Sequence, residues 1–285
     1  MLVTNLLSLP EPIVRAVQND GYSKGTARLS VTELIGPPRL VALSRKHWHE
    51  LEEDAADRIF SLIGQAVHEI LRRADLEALT EQRLSVEVLG WEVSGQFDRL
   101  AFTPAGLLQD YKVSSVWAVR DGAKEEWVQQ VNLYAHLLRS HGFTVDQAQI
   151  VVLLRDWRLT EAKKGGDYPP QQVVVLDVPL WPEIEAELFL QTRVRLHQSA
   201  EETLPLCTPE ERWSRPSTWA VTKPGRQKAM RVLDTEVDAI AYANGMPGAV
   251  VEHRPGEAIR CAYYCPVASF CRAVGDAQFA NEEGA

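Results

Sequence analysis

Long apolar runs are missing from this 285-residue sequence, and none approaches the roughly 20 residues that a membrane-spanning helix needs. The N-terminal stretch MLVTNLLSLPEPIV also lacks the basic segment and small-residue cleavage site of a secretory signal peptide. Internal repeats and low-complexity segments are absent too. The hydrophobic fraction of 45% is enough for a sizeable core. We therefore expect a cytoplasmic globular protein with no membrane partner, built as one large domain or one domain with an appendage.

Basic residues are in deficit, with 30 Lys and Arg against 39 Asp and Glu and a formal net charge of -9. This balance argues mildly against a general nucleic-acid binder, which is usually basic. A local basic groove can still coexist with an acidic remainder. Charge alone therefore leaves a nucleic-acid partner open.

The spacing of apolar residues predicts a mixed α/β fold. Helices are predicted at about 47–79, 125–140 and 181–200. Strands are predicted as three segments within 84–115 and at 150–154 and 172–178. The resulting order α-β-β-β-α-β-β-α favours a mixed central sheet flanked by helices.

Proline and glycine suggest three segments of the chain. Residues 1–28 are interpreted as a loosely attached lead-in, 29–204 as the core, and 205–285 as an irregular C-terminal region packed on the core. Ser30 or Thr32 is expected to cap a short helix that Pro37 and Pro38 stop. A helix is predicted near 226–244.

Three charged residues interrupt two predicted strands in the stretch GQFDRLAFTPAGLLQDYK, residues 95–112. A turn centred on Ala105 would place Asp98 opposite Lys112, with Asp110 on the same face. Two carboxylates suit a hard divalent cation, and a neighbouring lysine can stabilise charge on a phosphate oxygen. A structural salt bridge explains the same charges. The hairpin alone leaves both interpretations open.

Polar residues on two helices are further candidates. Gln130 and Tyr134 share one helix face because they are four residues apart, which suits contacts to a phosphate or substrate as well as a polar helix surface. His68 lies within an apolar helix and is either a ligand or a satisfied core residue. Glu87, on the strand that precedes the hairpin, is interpreted as a surface residue.

Cysteine is scarce, and three of the four residues cluster as Cys261-x3-Cys265-x5-Cys271, with Cys207 alone. In a reducing compartment such clustering points to a metal before disulfides. Four thiolates suffice for a 4Fe–4S cluster or a tetrahedral zinc site, and unligated thiols are a third possibility. A metal bound by all four would fasten the C-terminal region, because binding energy then becomes folding energy.

Taken in order, these motifs resemble the RecB-like branch of the PD-(D/E)XK nucleases. That branch includes the nuclease domains of RecB and AddAB and the CRISPR-associated adaptation nucleases. The matching elements are IGQAVH at 63–68, GQFD at 95–98, DYK at 110–112 and QVNLY at 130–134. Each motif is short, but four in this order are specific. The resemblance covers about 60–140, and the cysteines extend it to about 271.

The resemblance implies a PD-(D/E)XK restriction-endonuclease-like core over 29–204 and an active site that uses Mg²⁺ or Mn²⁺. The implied metal site comprises Asp98, Asp110, the main-chain carbonyl of Tyr111, and His68 beside the metal. Lys112 would be the catalytic lysine, and Gln130 and Tyr134 would position DNA at the catalytic site. The second acid is Asp rather than Glu, which the family allows.

The resemblance also implies a 4Fe–4S cluster at Cys207, Cys261, Cys265 and Cys271, as in AddB and the CRISPR-associated adaptation nucleases. In those relatives the C-terminal cysteines are typically separated by two and then five residues. Here they are separated by three and then five, which keeps zinc as the alternative.

Further DNA contacts are expected from Ser114 and Ser115, which follow the lysine, and from Lys223, Arg226 and Lys228. The alternative for the basic residues is the solvated start of a helix.

The function expected from these features is a metal-dependent deoxyribonuclease, more an exonuclease than an endonuclease. It would act in DNA end processing, recombination or repair, in a phage or CRISPR-type setting, with a recombination or CRISPR-adaptation complex as partner. A phage-encoded form would act in the host cytoplasm. The alternatives are a non-catalytic DNA-binding or scaffolding module of the same fold, and a zinc-stabilised protein that binds no nucleic acid. Intact Asp98, Asp110 and Lys112 argue against the first, and the second leaves the hairpin unexplained.

Overall fold

The structure, a computed structural model, describes residues 1–19, 21, 23–74, 77–102 and 105–271. Contacts divide the chain into two units, Met1–Leu204 and Pro205–Ala285. The helices are α1 (Glu11–Gln18), α2 (Val31–Ile35), α3 (Pro38–Lys46), α4 (Ile59–Ala74), α5 (Glu125–Ser140), α6 (Leu159–Ala162), α7 (Glu183–Thr203) and α8 (Glu236–Asn244). In the described part of the chain, no helix combines the length and the apolar character needed to cross a bilayer.

The strands of the first unit are β1 (Leu2–Thr4), β2 (Leu29–Ser30), β3 (Glu52–Asp54), β4 (Leu79–Val88), β5 (Trp91–Ala101), β6 (Leu107–Ser114), β7 (Gln147–Leu154) and β8 (Val173–Val178). Those of the second unit are β9 (Ser214–Arg215), β10 (Thr218–Thr222), β11 (Arg231–Leu233), β12 (Val250–Arg254) and β13 (Glu257–Ala258).

A mixed six-stranded sheet forms the centre of the first unit. Its order is β2-β5-β6-β7-β8, and β4 pairs with β5. The pairs β2–β5 and β6–β7 are parallel, whereas β4–β5, β5–β6 and β7–β8 are antiparallel. Helix α5 contacts β4 to β7, and α4 contacts β5 and β6. The predicted mixed sheet flanked by helices is thus confirmed.

The core lies between this sheet and α5. Phe97, Leu108 and Ile150 on the strands and Val131 and Leu138 on the helix are at most 2% exposed. Burying a side chain of this size contributes about 1.5–3 kcal/mol. The buried apolar spacing that predicted 125–140 as helical therefore corresponds to the face of α5 that packs on the sheet.

Glycine at position 95 allows α5 to lie close to β5. A Cβ at Gly95 would be 2.7 Å from Leu137 Cδ1 and 2.8 Å from Tyr134 Cε1. Such distances are shorter than ordinary carbon contacts of about 3.5–4.0 Å. The absent side chain thus lets the helix bring its polar residues toward the strands.

The N-terminal segment differs from the prediction. Strand β1 pairs in parallel with β3, joining Leu2 to Glu52 and Thr4 to Asp54, and Val17 of α1 is 4% exposed. The described part of 1–28 therefore packs as part of the first unit and is not a loosely attached lead-in. The predicted helix 47–79 begins later than expected, at Ile59, because β3 and a 3₁₀ turn precede α4.

Helix α2 begins as predicted at Ser30. The Ser30 hydroxyl accepts a hydrogen bond from the Glu33 N–H, and the Glu33 carboxylate accepts one from the Ser30 N–H. This reciprocal capping satisfies two donors at the helix start. Pro38 begins α3, since a proline is tolerated in the first turn of a helix.

The second unit contains a three-stranded antiparallel sheet in the order β11-β10-β12. Residues 223–230 connect β10 to β11, and α8 begins only at Glu236. The prediction of a helix from 226 was therefore wrong in its start, and the basic residues lie on a connection between strands. Thr235 caps α8 by accepting a hydrogen bond from the Asp238 N–H.

Candidate active site

The pairing of β5 with β6 brings the two aspartates of the hairpin to one level. The observed pairs join Arg99 to Gln109 and Leu100 to Leu108, so the same register extended by one residue sets Asp98 opposite Asp110. The prediction that Asp98 faces Lys112 was therefore wrong by two residues. Beyond the last pair, the Asp98 carboxylate accepts the Tyr111 N–H at 2.5 Å, so a side chain continues the contact between the strands.

Asp110 is the most enclosed charge of the site, at 1% exposed. Burial and the charge of Asp98 raise its pKa, while Lys112 opposes the rise. Its Oδ2 lies 2.7 Å from Lys112 Nζ as an ion pair. Burying a carboxylate is costly even when it is paired, and a bound cation would offset that cost.

Lys112 is held from a second side by α5. Its ammonium donates to Gln130 Oε1 at 2.9 Å, and Gln130 Nε2 donates to the Tyr134 hydroxyl at 2.8 Å. The glutamine and tyrosine predicted to share a helix face therefore form a chain of hydrogen bonds that leads to the lysine. That chain fixes where the ammonium points.

His68 lies between two carboxylates. Its Nδ1 is 3.1 Å from Glu81 Oε1 and 3.3 Å from Asp98 Oδ1. Burial disfavours the charged ring, but the hydrogen bonds and charges of Asp98 and Glu81 outweigh it and raise the pKa of His68 to about 10. The ring also meets the Tyr111 ring edge-on, with centroids 6.1 Å apart. The structure thus joins His68 to the hairpin.

Glu81 is the site residue that the sequence prediction missed. Burial opposes its ionisation, yet hydrogen bonds from His68 and Gln96 lower its pKa. Its backbone has a φ of +51°, a left-handed value that is uncommon outside glycine and is found at functional sites. Glu87, the acid considered on this strand, is exposed as expected.

A break in the apolar alternation was the sequence signal for Glu81. On β5 the core side chains Val93 and Phe97 are four residues apart, but Leu100 follows after three. On β4 the side chains that pack on the core switch from even to odd positions between Leu84 and Leu79. A regular strand keeps one parity on each face, so both strands must be irregular at the level of Glu81 and Asp98.

These side chains line one cleft of about 670 Å³. Its walls include the predicted residues His68, Asp98, Asp110, Lys112, Gln130 and Tyr134, together with Glu81. Carboxylates and one imidazole are ligands that Mg²⁺ or Mn²⁺ accepts. The enclosed Asp110 carboxylate and the other ligand atoms that converge in the cleft therefore fit a divalent cation.

Ser114 and Ser115, the predicted DNA contacts that follow Lys112, have hydrogen-bond partners within the protein. Ser115 Oγ donates to Asp156 at 2.7 Å and caps the short 3₁₀ helix Val116–Val119, and the Ser114 carbonyl accepts the Arg155 N–H. In the second unit, Arg226 and Lys228 are exposed, while Lys223 is half-buried. These basic side chains belong to the other unit, not to the cleft-lining residues.

The four cysteines all belong to the second unit. Cys261 lies in the π-helical turn Arg260–Tyr264, which Cys265 follows directly. Burial first, then the charges of Glu211 and of the other three cysteines, raise the pKa of Cys207 to about 12. The charges of the other three thiols thus affect Cys207, and four thiols are the kind of ligands that an iron–sulfur cluster or zinc takes.

The mixed sheet places two aspartates opposite each other on neighbouring strands, and a lysine lies beside them in the same cleft. This arrangement is that of a nuclease active site. The chain belongs to the PD-(D/E)XK nuclease superfamily, whose family profile matches residues 23–272. The nuclease fold and class expected from the motifs are therefore confirmed at this level.

Solved structures that are similar to the chain include the following two. The crystal structure of SSO0001 has 16% sequence identity and a TM-score of 0.45, with 65% of this chain and 84% of that one covered. A structure from Eubacterium rectale, named "Putative exonuclease", has 13% identity and a TM-score of 0.29, with 48% and 52% covered. Both TM-scores lie below 0.5, so neither likeness is evidence for what this chain does. Curated proteins include no significant match.

Proposed function

We propose that this nuclease hydrolyses phosphodiester bonds of DNA with Mg²⁺ or Mn²⁺ as cofactor. The observation that carries the proposal is the placement of Asp98 and Asp110 at one level of the sheet, with Lys112 ion-paired to Asp110 in the same cleft. Two carboxylates plus substrate phosphates form a common divalent-cation site in phosphoryl-transfer enzymes.

Asp98 and Asp110 would hold the cation, with the Tyr111 carbonyl as a further ligand. When bound, the cation supplies a Lewis acid that lowers the pKa of a water molecule and polarises the phosphate. Lys112 would place its ammonium against the negative charge that develops on the phosphate oxygens. Gln130 would keep that ammonium in position, since its side-chain oxygen accepts from Nζ.

Exonucleolytic action on DNA ends is the mode we propose, in recombination, repair or CRISPR-type adaptation. The support is the resemblance of the four ordered motifs to the RecB-like branch. Exposed Arg226 and Lys228 would add contacts to the DNA backbone, because phosphate contacts are largely electrostatic.

A 4Fe–4S cluster at Cys207, Cys261, Cys265 and Cys271 is the cofactor we propose for the second unit. The support is the cysteine pattern and the effect of the other three thiols on the pKa of Cys207. The cluster would fasten the end of the chain to the start of the second unit.

End-labelled linear DNA and closed circular DNA, incubated with Mg²⁺, with Mn²⁺ or with chelator, test the proposal. Metal-dependent cleavage that is lost in Lys112→Ala and in Asp110→Ala supports it. Loss of the linear substrate alone supports an exonuclease, and nicking of the circle supports an endonuclease. DNA that binds but is never cleaved, with either cation, would favour the non-catalytic DNA-binding module instead.

A further inference from the structure

Helix α4 places an arginine in the wall of the cleft. Arg72 follows His68 by four residues, so the two side chains share one face of the helix. Among the described residues that line the cleft, Arg72 is the only arginine and Lys112 the only lysine. The acids of the same wall are Glu69, Glu81, Asp98 and Asp110. A DNA strand in this cleft therefore meets few cations that could hold its phosphates.

The two cations of the wall are bound in different ways. Lys112 is held by Asp110 and Gln130, which fixes it within the catalytic site. The partner of Arg72 is Glu69, one helical turn earlier. Arg72 Nε and Nη2 donate to the two oxygens of the Glu69 carboxylate, each at 2.8 Å. A phosphate offers a guanidinium the same pair of parallel hydrogen bonds, so it can take the place of this carboxylate.

Glu69 does not depend on Arg72 for a partner. Arg73 Nε also donates to Glu69 Oε1, at 2.6 Å. The side chains of Arg72 and Glu69 are 44% and 40% exposed, and water screens an ion pair at such an exposure, so the pair contributes little to stability. Departure of the Arg72 guanidinium would therefore cost little and would leave Glu69 paired with Arg73.

The charge of Arg72 is linked to the acids of the catalytic site. Its hydrogen bonds to Glu69, the charge of Glu69 and then the charge of Glu81 raise the pKa of Arg72. Glu81 in turn contacts His68, which lies beside Asp98. Arg72 thus remains a cation and acts on the part of the cleft where these acids lie.

We propose that Arg72 binds a backbone phosphate of the DNA strand in the cleft, and that the phosphate displaces Glu69 from the guanidinium. This inference rests on the proposed function, because it assigns a substrate contact within the same cleft. Glu69 would act as a competitor of the phosphate for Arg72. Arginine suits this role better than lysine, because its planar fork forms two hydrogen bonds at once.

Binding of a labelled single-stranded oligonucleotide, measured by fluorescence anisotropy over a range of salt concentrations, tests the contact. All proteins carry Lys112→Ala and are measured with Mg²⁺, so that DNA is bound and not cleaved. Arg72→Gln should weaken binding about 10-fold or more, as loss of a hydrogen bond between charged groups does. It should also reduce the slope of log Kd against log salt by about 0.7, the value for one phosphate on a single strand.

Arg73→Gln is the matched control. Arg73 has the same partner, Glu69, and is 72% exposed, and it is not among the described residues that line the cleft. The two substitutions change the net charge equally, so a difference between them reports a contact and not the overall charge. Arg72→Lys keeps the charge without the fork and should recover only part of the affinity.

Glu69→Gln tests the competition. It should tighten DNA binding more than Glu87→Gln, which removes the same charge from an exposed position on β4. Equal binding by these two variants, or weaker binding by Glu69→Gln, would overturn the displacement of Glu69. Equal affinities and salt slopes in Arg72→Gln and Arg73→Gln would overturn the phosphate contact and leave the proposed function standing. A parent protein that binds no DNA would contradict the proposed function itself.

Discussion

Lys112 Nζ donates to the side-chain oxygen of Gln130 at 2.9 Å. The contact joins the strand that carries the acids to the helix that packs on it. It gives the paired Gln130 and Tyr134 a role inside the protein, because they orient the lysine, in addition to the DNA contact predicted from the family motif. The two roles make different kinetic predictions.

Replacing Gln130 by Ala should lower kcat more than it raises KM for DNA. The ammonium would lose a neutral partner, and a hydrogen bond to a charged group contributes about 1.5–3 kcal/mol, which corresponds to about a 10- to 150-fold loss of rate. Steady-state cleavage of a labelled duplex measures both constants. Gln129→Ala, whose side chain donates to Glu125, is the neighbouring control. A rise in KM with unchanged kcat would assign Gln130 to DNA binding instead.

Adding a methyl group at Gly95 should destabilise the first unit. The new Cβ would overlap Leu137 and Tyr134, and overpacking of this kind costs about 1–3 kcal/mol. Urea unfolding of Gly95→Ala gives the change in free energy. Gly64→Ala is the comparison, because nothing lies within 4 Å of its added Cβ and alanine is favoured over glycine in a helix by about 1 kcal/mol. Equal effects of the two substitutions would contradict the close approach of α5.

Mg²⁺ or Mn²⁺ should raise the unfolding midpoint of the wild-type protein. A cation between the carboxylates relieves their repulsion, and a ligand at about one hundred times its Kd stabilises the folded state by about 2.7 kcal/mol. Asp98→Asn should lose this gain, since Asp98 is a ligand of the proposed cation. Asp167→Asn, in an exposed loop, should keep it. Thermal unfolding with metal and with chelator compares the variants, and a gain retained in Asp98→Asn would place the cation elsewhere.

Acid should weaken the first unit through His197. The ring is 3% exposed and its Nε2 lies 3.0 Å from the Leu34 carbonyl. Burial, together with the charges of Arg193 and Arg45, lowers the pKa of His197 to about 4 despite that carbonyl. A pKa below the unfolded value near 6.5 means that the unfolded chain binds the proton first, so stability is complete above about pH 6.5 and falls toward pH 4.

The expected loss over that range is about 3 kcal/mol, at about 1.4 kcal/mol for each pH unit. Urea unfolding of the wild type and of His197→Gln between pH 7 and 4.5 measures it. Glutamine keeps a donor for the Leu34 carbonyl but does not titrate, so the variant should lose less stability with acid. Parallel curves for both proteins would show that His197 does not contribute to the pH dependence.

Replacing Cys207 by Ser should remove the proposed cluster. Protein purified without oxygen is expected to be brown and to contain iron and sulfide, and Cys207→Ser should lose the colour and unfold more easily, because cluster binding contributes to folding. Elemental analysis with visible absorption checks both. Colourless wild-type protein that contains zinc would indicate a zinc site instead of the cluster. Protein without metal would indicate that the thiols are unligated.

Local pattern was sufficient for the fold class. The helix predicted at 125–140 corresponds to α5, and the three predicted strands correspond to β4, β5 and β6. Such periodicity follows from the geometry of a single element, because each helix or strand repeats its buried face at a fixed interval. The N-terminal segment could not be placed in this way, since β1 is fixed by its pairing with β3 about fifty residues later.

The sequence by itself determined the class of the protein and singled out the two aspartates, the lysine, the glutamine and the tyrosine that line its cleft. Only the tertiary structure decided that Asp98 is level with Asp110, that Gln130 holds Lys112, and that Glu81 joins His68. Residue type and spacing express local chemistry. Register across strands and the approach of a helix depend on contacts between distant parts of the chain, which spacing does not record.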